Sequence, residues 1–472
     1  MSLYFISHML TGQKSAIRNN LILKSSDMKV LKNVVFDDFG IVKKRPGSTK
    51  VGTTMANSDI LGLHDFAKND GSHKHLAVNA AKVYYNNAGT WTDSSIAGLT
   101  TGKRTRFANF INLVFLVNGT QAVKDWDGAA SYDAYVAAAP TANYICVFND
   151  RLYTNNITYP SRVNYSTIPD TSVTPTGTIV WTGGDSGNYE VQTNDGDFIT
   201  GLHARRDRLL VFKNHYIEGR DSYFRRISVV RDIGTPSNDS IVTINNQTYF
   251  FNFDDANSIG VYRYGVSDPV KISSPIQDLF DDLTIATPST QFFAVKQGFN
   301  YLLHIGTTQG MNNVVVCYNT VHQAWSYWSL PSTVKVLGTY NDTNVILPYY
   351  GTNGGRVYKM SGATDAYYST TDTTKNIMMN IRTHPLHCAN PHLFKDFTQL
   401  FVFDEQPMKS RVRYQIDRGR WNNSGTVDNR TAILDCSGKG FDISIDIQDN
   451  TAGSPEIKGL ALEYTSEQDL RT

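Results

Sequence analysis

The sequence predicts an all-β fold: a β-propeller of six to eight blades followed by a C-terminal β-sandwich-like domain. Three observations carry that expectation. Helix signals are nearly absent, whereas β-branched or alternating runs broken by Gly, Asn and Asp fill the chain. A loose unit recurs, made of an apolar run, a polar turn, a second apolar run and a Tyr- or Trp-bearing segment. Its period is about 40 to 55 residues, the range of a four-stranded propeller blade. Near residue 361 that texture stops and a different set of strands begins.

Taken in order, residues 1–57 read as a leader that packs on or enters the propeller. Residues 58–362 read as the propeller, with units starting near Leu63, Phe107, Ile145, Leu202, Ile241, Phe292 and Val336. In the third unit Asn149-Asp150 separates two apolar pieces, a hairpin turn signal. Residues 361–375 read as a polar linker, and 363–472 as the sandwich-like domain. Within that domain Phe441, Ile443, Ile445 and Ile447 alternate with Asp442, Ser444, Asp446 and Gln448, and only a strand places such a set on one face.

Composition narrows the function classes. Charged residues make up 18% of the chain, below the roughly 25% usual for soluble domains. Net charge is +1, with no acidic or basic tail, so the overall basic excess of a phosphate-gripping protein is missing and a local patch stays open. The four cysteines, Cys146, Cys317, Cys388 and Cys436, lie far apart and read as buried free thiols. The start has no basic segment followed by an apolar one, so no signal peptide is expected, and no apolar run long enough to cross a membrane occurs.

No set of catalytic, cofactor-binding or metal-binding residues stands out, and no enzyme is expected. Asp254, Asp255, Asp281 and Asp282 read as surface or turn groups, because adjacent strand residues point to opposite faces. His73 and His75 share a face if their segment is a strand, but a polar outer strand explains them. Asn194-Asp195-Gly196-Asp197 has the oxygen density of a calcium loop without the rest of its pattern, so a turn is expected. Tyr85 to Trp91 matches the tail of a sialidase Asp-box once, lacking its Ser and Asp. Trp325, Tyr327 and Trp328 read as blade core, with stacking on sugars or bases as the alternative. The interaction candidates are cationic. Lys43, Lys44 and Arg45 cluster at a turn, either solvated or touching DNA or an acidic neighbour. Arg205, Arg206 and Arg208 surround Asp207, either for phosphate contact or for pairing within the protein and with partner subunits.

Leu31-Lys32-Asn33-Val34 followed by Gly40-Ile41-Val42-Lys43-Lys44-Arg45-Pro46-Gly47 resembles the opening of the short-tailed bacteriophage tail nozzle, tail hub or packaged-DNA stabilisation proteins. Leu209 to Phe212 with Tyr216-Ile217-Glu218, the Ala324-Trp325-Ser326-Tyr327-Trp328 strand and Gly354-Gly355-Arg356-Val357-Tyr358 resemble later segments of the same family. The resemblance implies a structural virion protein made in the host cytoplasm. It implies a homo-hexameric ring below the phage portal and adaptor rings, to which tail fibres or tip proteins dock. Genomic DNA would pass through that ring non-specifically, without membrane insertion. Two other readings remain at this point: a receptor- or glycan-binding propeller of a phage tail, and a propeller glycosidase.

Overall fold

A computed structural model describes the chain except for residues 1, 8–10, 18–22, 38–39, 130–135, 170–178, 254–257, 284–290, 369–371, 389, 406–408, 428–429 and 467–472. Asp254 and Asp255 therefore lie outside the described residues.

Seven antiparallel sheets follow one another in the order of the sequence units. Their first strands are Ile60–Ala67, Arg106–Phe110, Ile145–Phe148, Gly201–Ala204, Val242–Ile244, Phe293–Gln297 and Val334–Asp342. We number the blades 1 to 7 accordingly. Blade 2 has three strands; the others have four or more. Several inner hairpins turn on two residues with positive φ: Ile111-Asn112, Asn149-Asp150, Asn245-Asn246 and Thr343-Asn344. Such turns match the right-handed twist of the strands they join, and Asn tolerates the left-handed region better than most residues.

Period-2 alternation gives each blade two apolar faces, and seven hydrophobic clusters fill the seven gaps between blades. In blade 4, Leu209 and Val211 pack towards Phe148, Tyr153 and Val163 of blade 3. Leu210 and Phe212, one residue on, pack towards Phe250, Tyr262 and Tyr264 of blade 5. The last gap joins Val336, Tyr340 and Tyr349 of blade 7 to Ile60, Leu63 and Ala77 of blade 1, so the ring of blades closes. Each large side chain buried in these gaps contributes about 1.5–3 kcal/mol relative to exposure. Trp325 and Tyr327 fill the gap between blades 5 and 6, and Trp328 that between blades 6 and 7.

The fourth strand of blade 7 comes from the leader. Thr49–Val51 pairs with Val357–Lys359, so one blade joins the two ends of the propeller chain. Gly355 sits at this seam with φ +67°, and a Cβ there would meet the Ala56 carbonyl oxygen at 2.1 Å.

The leader does more than enter the propeller. Its strands Ser2–Ser7, Val34–Phe36 and Val42–Lys44 join Lys395–Asp404, Thr431–Gly440 and Glu456–Ser466 in one sheet of the sandwich. Met28–Lys32 lies in the other sheet, between Ala324–Ser329 of blade 6 and Met379–Thr383 of the C-terminal region. That sheet runs on through Ile443–Asp449, Ser410–Ile416 and Asn422–Val427, nine strands in all with blade 6. The sandwich core mixes Ile6, Met28, Leu31, Val34 and Val42 with Phe397, Leu400, Val412, Ile445 and Leu462. A self-contained domain at 363–472 is thus corrected: leader strands complete it, and a continuous sheet ties it to blade 6. The polar segment expected as a linker forms a hairpin, Thr364–Tyr368 with Asp372–Asn376. Phe441 precedes its strand and stays exposed, while Ile443, Ile445 and Ile447 are buried. Cys317, Cys388 and Cys436 are buried free thiols, but Cys146 is half-buried.

Candidate functional site

The first strands of the blades surround a cavity of about 860 Å³ on the propeller axis, lined by Gly62, His64, Phe107, Ile145, His203 and Val295 among others. An ion cluster crosses the mouth at which those strands begin. Asp239, in the three-residue turn leading into blade 5, accepts hydrogen bonds from Arg106 Nε at 2.6 Å and Nη2 at 2.8 Å. Arg104 lies 3.5 Å from the same carboxylate and donates to the Lys335 carbonyl of blade 7. Arg106 also donates to the Asn143 carbonyl and stacks on Tyr144. The cluster joins the entries of blades 2, 3, 5 and 7. Burial alone would raise the Asp239 carboxyl, but Arg106 and Arg104 outweigh it and hold it below the usual carboxylate range. Burial also lowers the pKa of His203 to about 4, and His203 bonds Thr243 Oγ1 at 2.8 Å. With paired charges and neutral imidazoles, the cavity has the character of a braced core.

The six cations singled out by sequence fall into different surroundings. Lys43 is partly exposed and bridges Asp37 at 3.3 Å and Glu456 at 3.2 Å. Lys44 is buried, pairs with Asp449 and donates to the Thr451 carbonyl at 2.8 Å. Arg45 is buried with all five guanidinium N–H groups engaged. It meets Asp365 at 2.9 and 2.5 Å, Asn33 Oδ1 at 3.0 Å, and the Ser329 and Pro46 carbonyls at 3.0 and 2.9 Å. Lys44 and Arg45 are thus corrected from interaction candidates, and the solvated-turn reading falls with them. Their carboxylates come from the sandwich and the hairpin, far away in sequence.

Asn33 and Gly47 complete this joint. Asn33 takes a left-handed φ of +58°, and its side-chain oxygen accepts from both Arg45 and the Ser329 backbone N–H. A Cβ on Gly47 would lie 2.1 Å from the Thr364 carbonyl oxygen, so only glycine lets the leader pass the hairpin.

Arg205 is also buried, donating to the Gly265 carbonyl and to Asn246 Oδ1, both at 3.1 Å, and is corrected in the same way. Arg208 is partly exposed and pairs with Asp207 at 2.7 Å. Arg206 is exposed and makes no ion pair among the described residues. The three are not brought together as one cationic surface.

The remaining candidates are accounted for by internal bonds. The oxygen-rich loop at Asp195 holds a cation of the protein's own. The fully buried Lys213 ammonium meets both Asp195 oxygens at 2.9 and 3.0 Å, Gln192 O at 2.6 Å, Ser161 Oγ at 3.1 Å and Asp197 O at 3.3 Å. His73 bonds Asp65 at 2.9 Å, and His75 bonds the Asn341 carbonyl at 2.9 Å while stacking on Tyr340. Asp282 accepts the Gln309 backbone N–H at 2.5 Å. Trp91 is core between blades 7 and 1, with its indole N–H on the Val51 carbonyl at 3.0 Å.

Sequence reasoning missed a cationic face on the nine-stranded sheet. Register sets Arg382 beside Asp446, and Asp446 beside Arg413. Directly opposed residues of an antiparallel pair share a face. Asp446 is buried and takes Arg382 Nε at 3.1 Å together with Arg413, and both guanidinia lie over Trp421. One row over, Lys32, Asn380, Gln448 and Arg411 lie side by side. Polar alternation at 411–415 and 444–448 signals such a face, but pairing between leader and C-terminal strands is needed to assemble it.

No family model and no curated protein matches the chain. Among solved structures, BamB from Moraxella catarrhalis is 11% identical, with a TM-score of 0.42, covering 70% of this chain and 95% of that one. The Pan2 WD40 domain of Neurospora crassa is 8% identical, with a TM-score of 0.42, covering 69% and 97%. The computationally designed Ika8 protein is 12% identical, with a TM-score of 0.40, covering 67% and 100%. Likeness at this level carries no argument about function.

Proposed function

We propose that the chain is a structural subunit of a short-tailed phage tail, in the nozzle or hub ring, and that it is not an enzyme. The observation that carries this reading is the place of the residues that resemble that family. Asn33, Arg45, Pro46 and Gly47 form the joint where leader, blade 6 and the 364–376 hairpin meet. Gly355 and the Val357–Lys359 strand make the seam that closes the propeller. A motif whose residues fix the architecture is expected to travel with that architecture. A second support is surface chemistry. A closed ring needs two different faces on each subunit. Leu3, Phe5 and Ile433 are exposed on the outer face of the sandwich, and Tyr223, Ile227 and Val229 at the rim of blade 4. In this reading DNA runs through the lumen of the ring rather than the propeller cavity, whose mouth the Arg106–Asp239 pair crosses. Portal, adaptor, fibre and tip proteins are the expected neighbours, and the virion is the place of residence. The test is electron microscopy of the protein co-expressed with the adjoining ring proteins, or of virions. A six-fold ring with a central channel is expected. Trimers at fibre tips would replace this reading with receptor binding.

A further inference from the structure

A cleft of about 790 Å³ opens where the leader crosses from blade 6 to the sandwich. Its walls are polar. Lys32 enters from the leader, Lys375 and Asn376 from the hairpin, Asn312 and Asn313 from blade 6, and Asn450 from the C-terminal region. Among the described lining residues the single carboxylate is Asp365, and it is consumed: Arg45 takes both oxygens and Ser48 Oγ adds a third bond at 3.2 Å. Lys32 and Lys375 make no hydrogen bond or ion pair among the described residues, although Lys32 is only partly exposed. Burial, followed by the nearby charges of Lys375 and Arg45, lowers the Lys32 pKa below the ordinary lysine value, the mark of an ammonium without its counter-ion. Asn312 and Asn313 each spend the side-chain oxygen inside the chain, on Thr307 Oγ1 at 3.1 Å and the Val334 backbone N–H at 3.4 Å. Their amide N–H groups are the ends left to a ligand.

We propose that this cleft is an oxyanion site for a phosphate group, with Lys32 and Lys375 as its charged ligands and Asn312 and Asn313 as neutral donors. A phosphate supplies anionic oxygens that accept, matching a lining whose free groups donate. The phosphate comes either free or on a nucleic-acid backbone. The second source has somewhere to continue, because Arg411 shares the sheet face of Lys32, three strands or about 14 Å away. The proposal stands independently of the ring reading.

The first experiment melts the full chain in inorganic phosphate and in sodium chloride of equal ionic strength. A saturable rise in Tm specific to phosphate is expected, lost in Lys32→Gln and Lys375→Gln and kept in Lys32→Arg. Lys375 is exposed, so its replacement leaves the fold intact; Lys103→Gln, at another exposed position, is expected to behave as wild type. Fluorescence anisotropy with a 12-nucleotide single strand then separates the sources. For a nucleic-acid phosphate, the Lys32→Gln/Lys375→Gln double variant and added phosphate each weaken binding by about ten-fold or more. Arg411→Gln then weakens the strand while sparing the response to phosphate. For a free phosphate, the double variant loses the phosphate response and leaves strand binding unchanged. A wild type with no phosphate-specific shift overturns the proposal, as does a shift that survives in the double variant. Saturation by a Glu-rich peptide without any response to phosphate also overturns it, pointing to an acidic protein partner.

Discussion

Replacing Arg45 by Met removes five donors from a buried joint while keeping much of the side chain's apolar volume. The Asp365 side chain is 6% exposed, and without Arg45 its carboxylate keeps Ser48 Oγ as the nearest donor, at 3.2 Å. The Asn33 side-chain oxygen and the Ser329 carbonyl lose partners as well. Removing one side of a buried ion pair costs about 3–5 kcal/mol, chiefly because the remaining charge is stranded away from water. The joint ties leader to hairpin and blade 6, so the loss should appear in urea unfolding followed by tryptophan fluorescence. A lower midpoint equivalent to about 4 kcal/mol is expected. Asp365→Asn on the Arg45→Met background should restore about 2 kcal/mol, since it removes the stranded charge and leaves an amide. Arg45→Lys should fall between, because an ammonium cannot span the two carboxylate oxygens and the carbonyls together. A loss below about 1 kcal/mol, or a double variant whose cost is the sum of the singles, would refute the idea that this pair holds the joint.

Two other predictions concern the whole molecule. Proteolytic nicking within the 364–376 hairpin should leave both fragments co-eluting under native conditions, because leader strands and the nine-stranded sheet join them; separation without denaturant would contradict the shared sheet. Stability should fall in acid. Burial, with the charges of Arg205 and Arg104 adding to it, lowers the pKa of His203 and of His304 to about 4 each, so both stay neutral in the folded chain while the unfolded chain binds protons below about pH 6.5. Their contribution is complete above pH 6.5 and fades as pH falls towards 4, by on the order of 3 kcal/mol per histidine. Urea midpoints from pH 7 to 4.5 should record it, and His203→Gln should flatten the slope; an unchanged slope would show that His203 takes up its proton over the same pH range in the folded and unfolded chains, against this reasoning.

The inner hairpins, the seven units and the core role of Trp325 and Trp328 were legible because each depends on residues close in sequence. Asn149-Asp150 supplies its own turn, and alternation along one strand assigns its two faces. Arg45 was misread because its burial depends on Asp365, 320 residues away. Lys213 shows the same limit at shorter range: the loop at Asp195 reads as a turn, and nothing beside it in the sequence tells that a lysine from the next blade sits among its oxygens. The Lys32–Lys375 cleft was invisible for a complementary reason, since nothing in a sequence announces that two distant lysines will share a space without an acid between them.

The closure of blade 7 by the leader also orders events during synthesis. The strand Thr49–Val51 leaves the ribosome early, but its partner Val357–Lys359 and the Asp365 that captures Arg45 follow about 300 residues later. At the usual 5–20 residues per second the leader waits about 15 to 60 s with bare strand edges. Through that interval blades 1 to 6 can dock on one another in turn, while the propeller stays an open arc. The leader is then made before the blades and is among the last parts set in place. Blade 1 meanwhile presents the apolar face of Ile60, Leu63 and Ala77 to solvent, and an exposed patch of that kind invites wrong contacts. The same thread that seals the finished molecule leaves it most open to mispairing while it is being made.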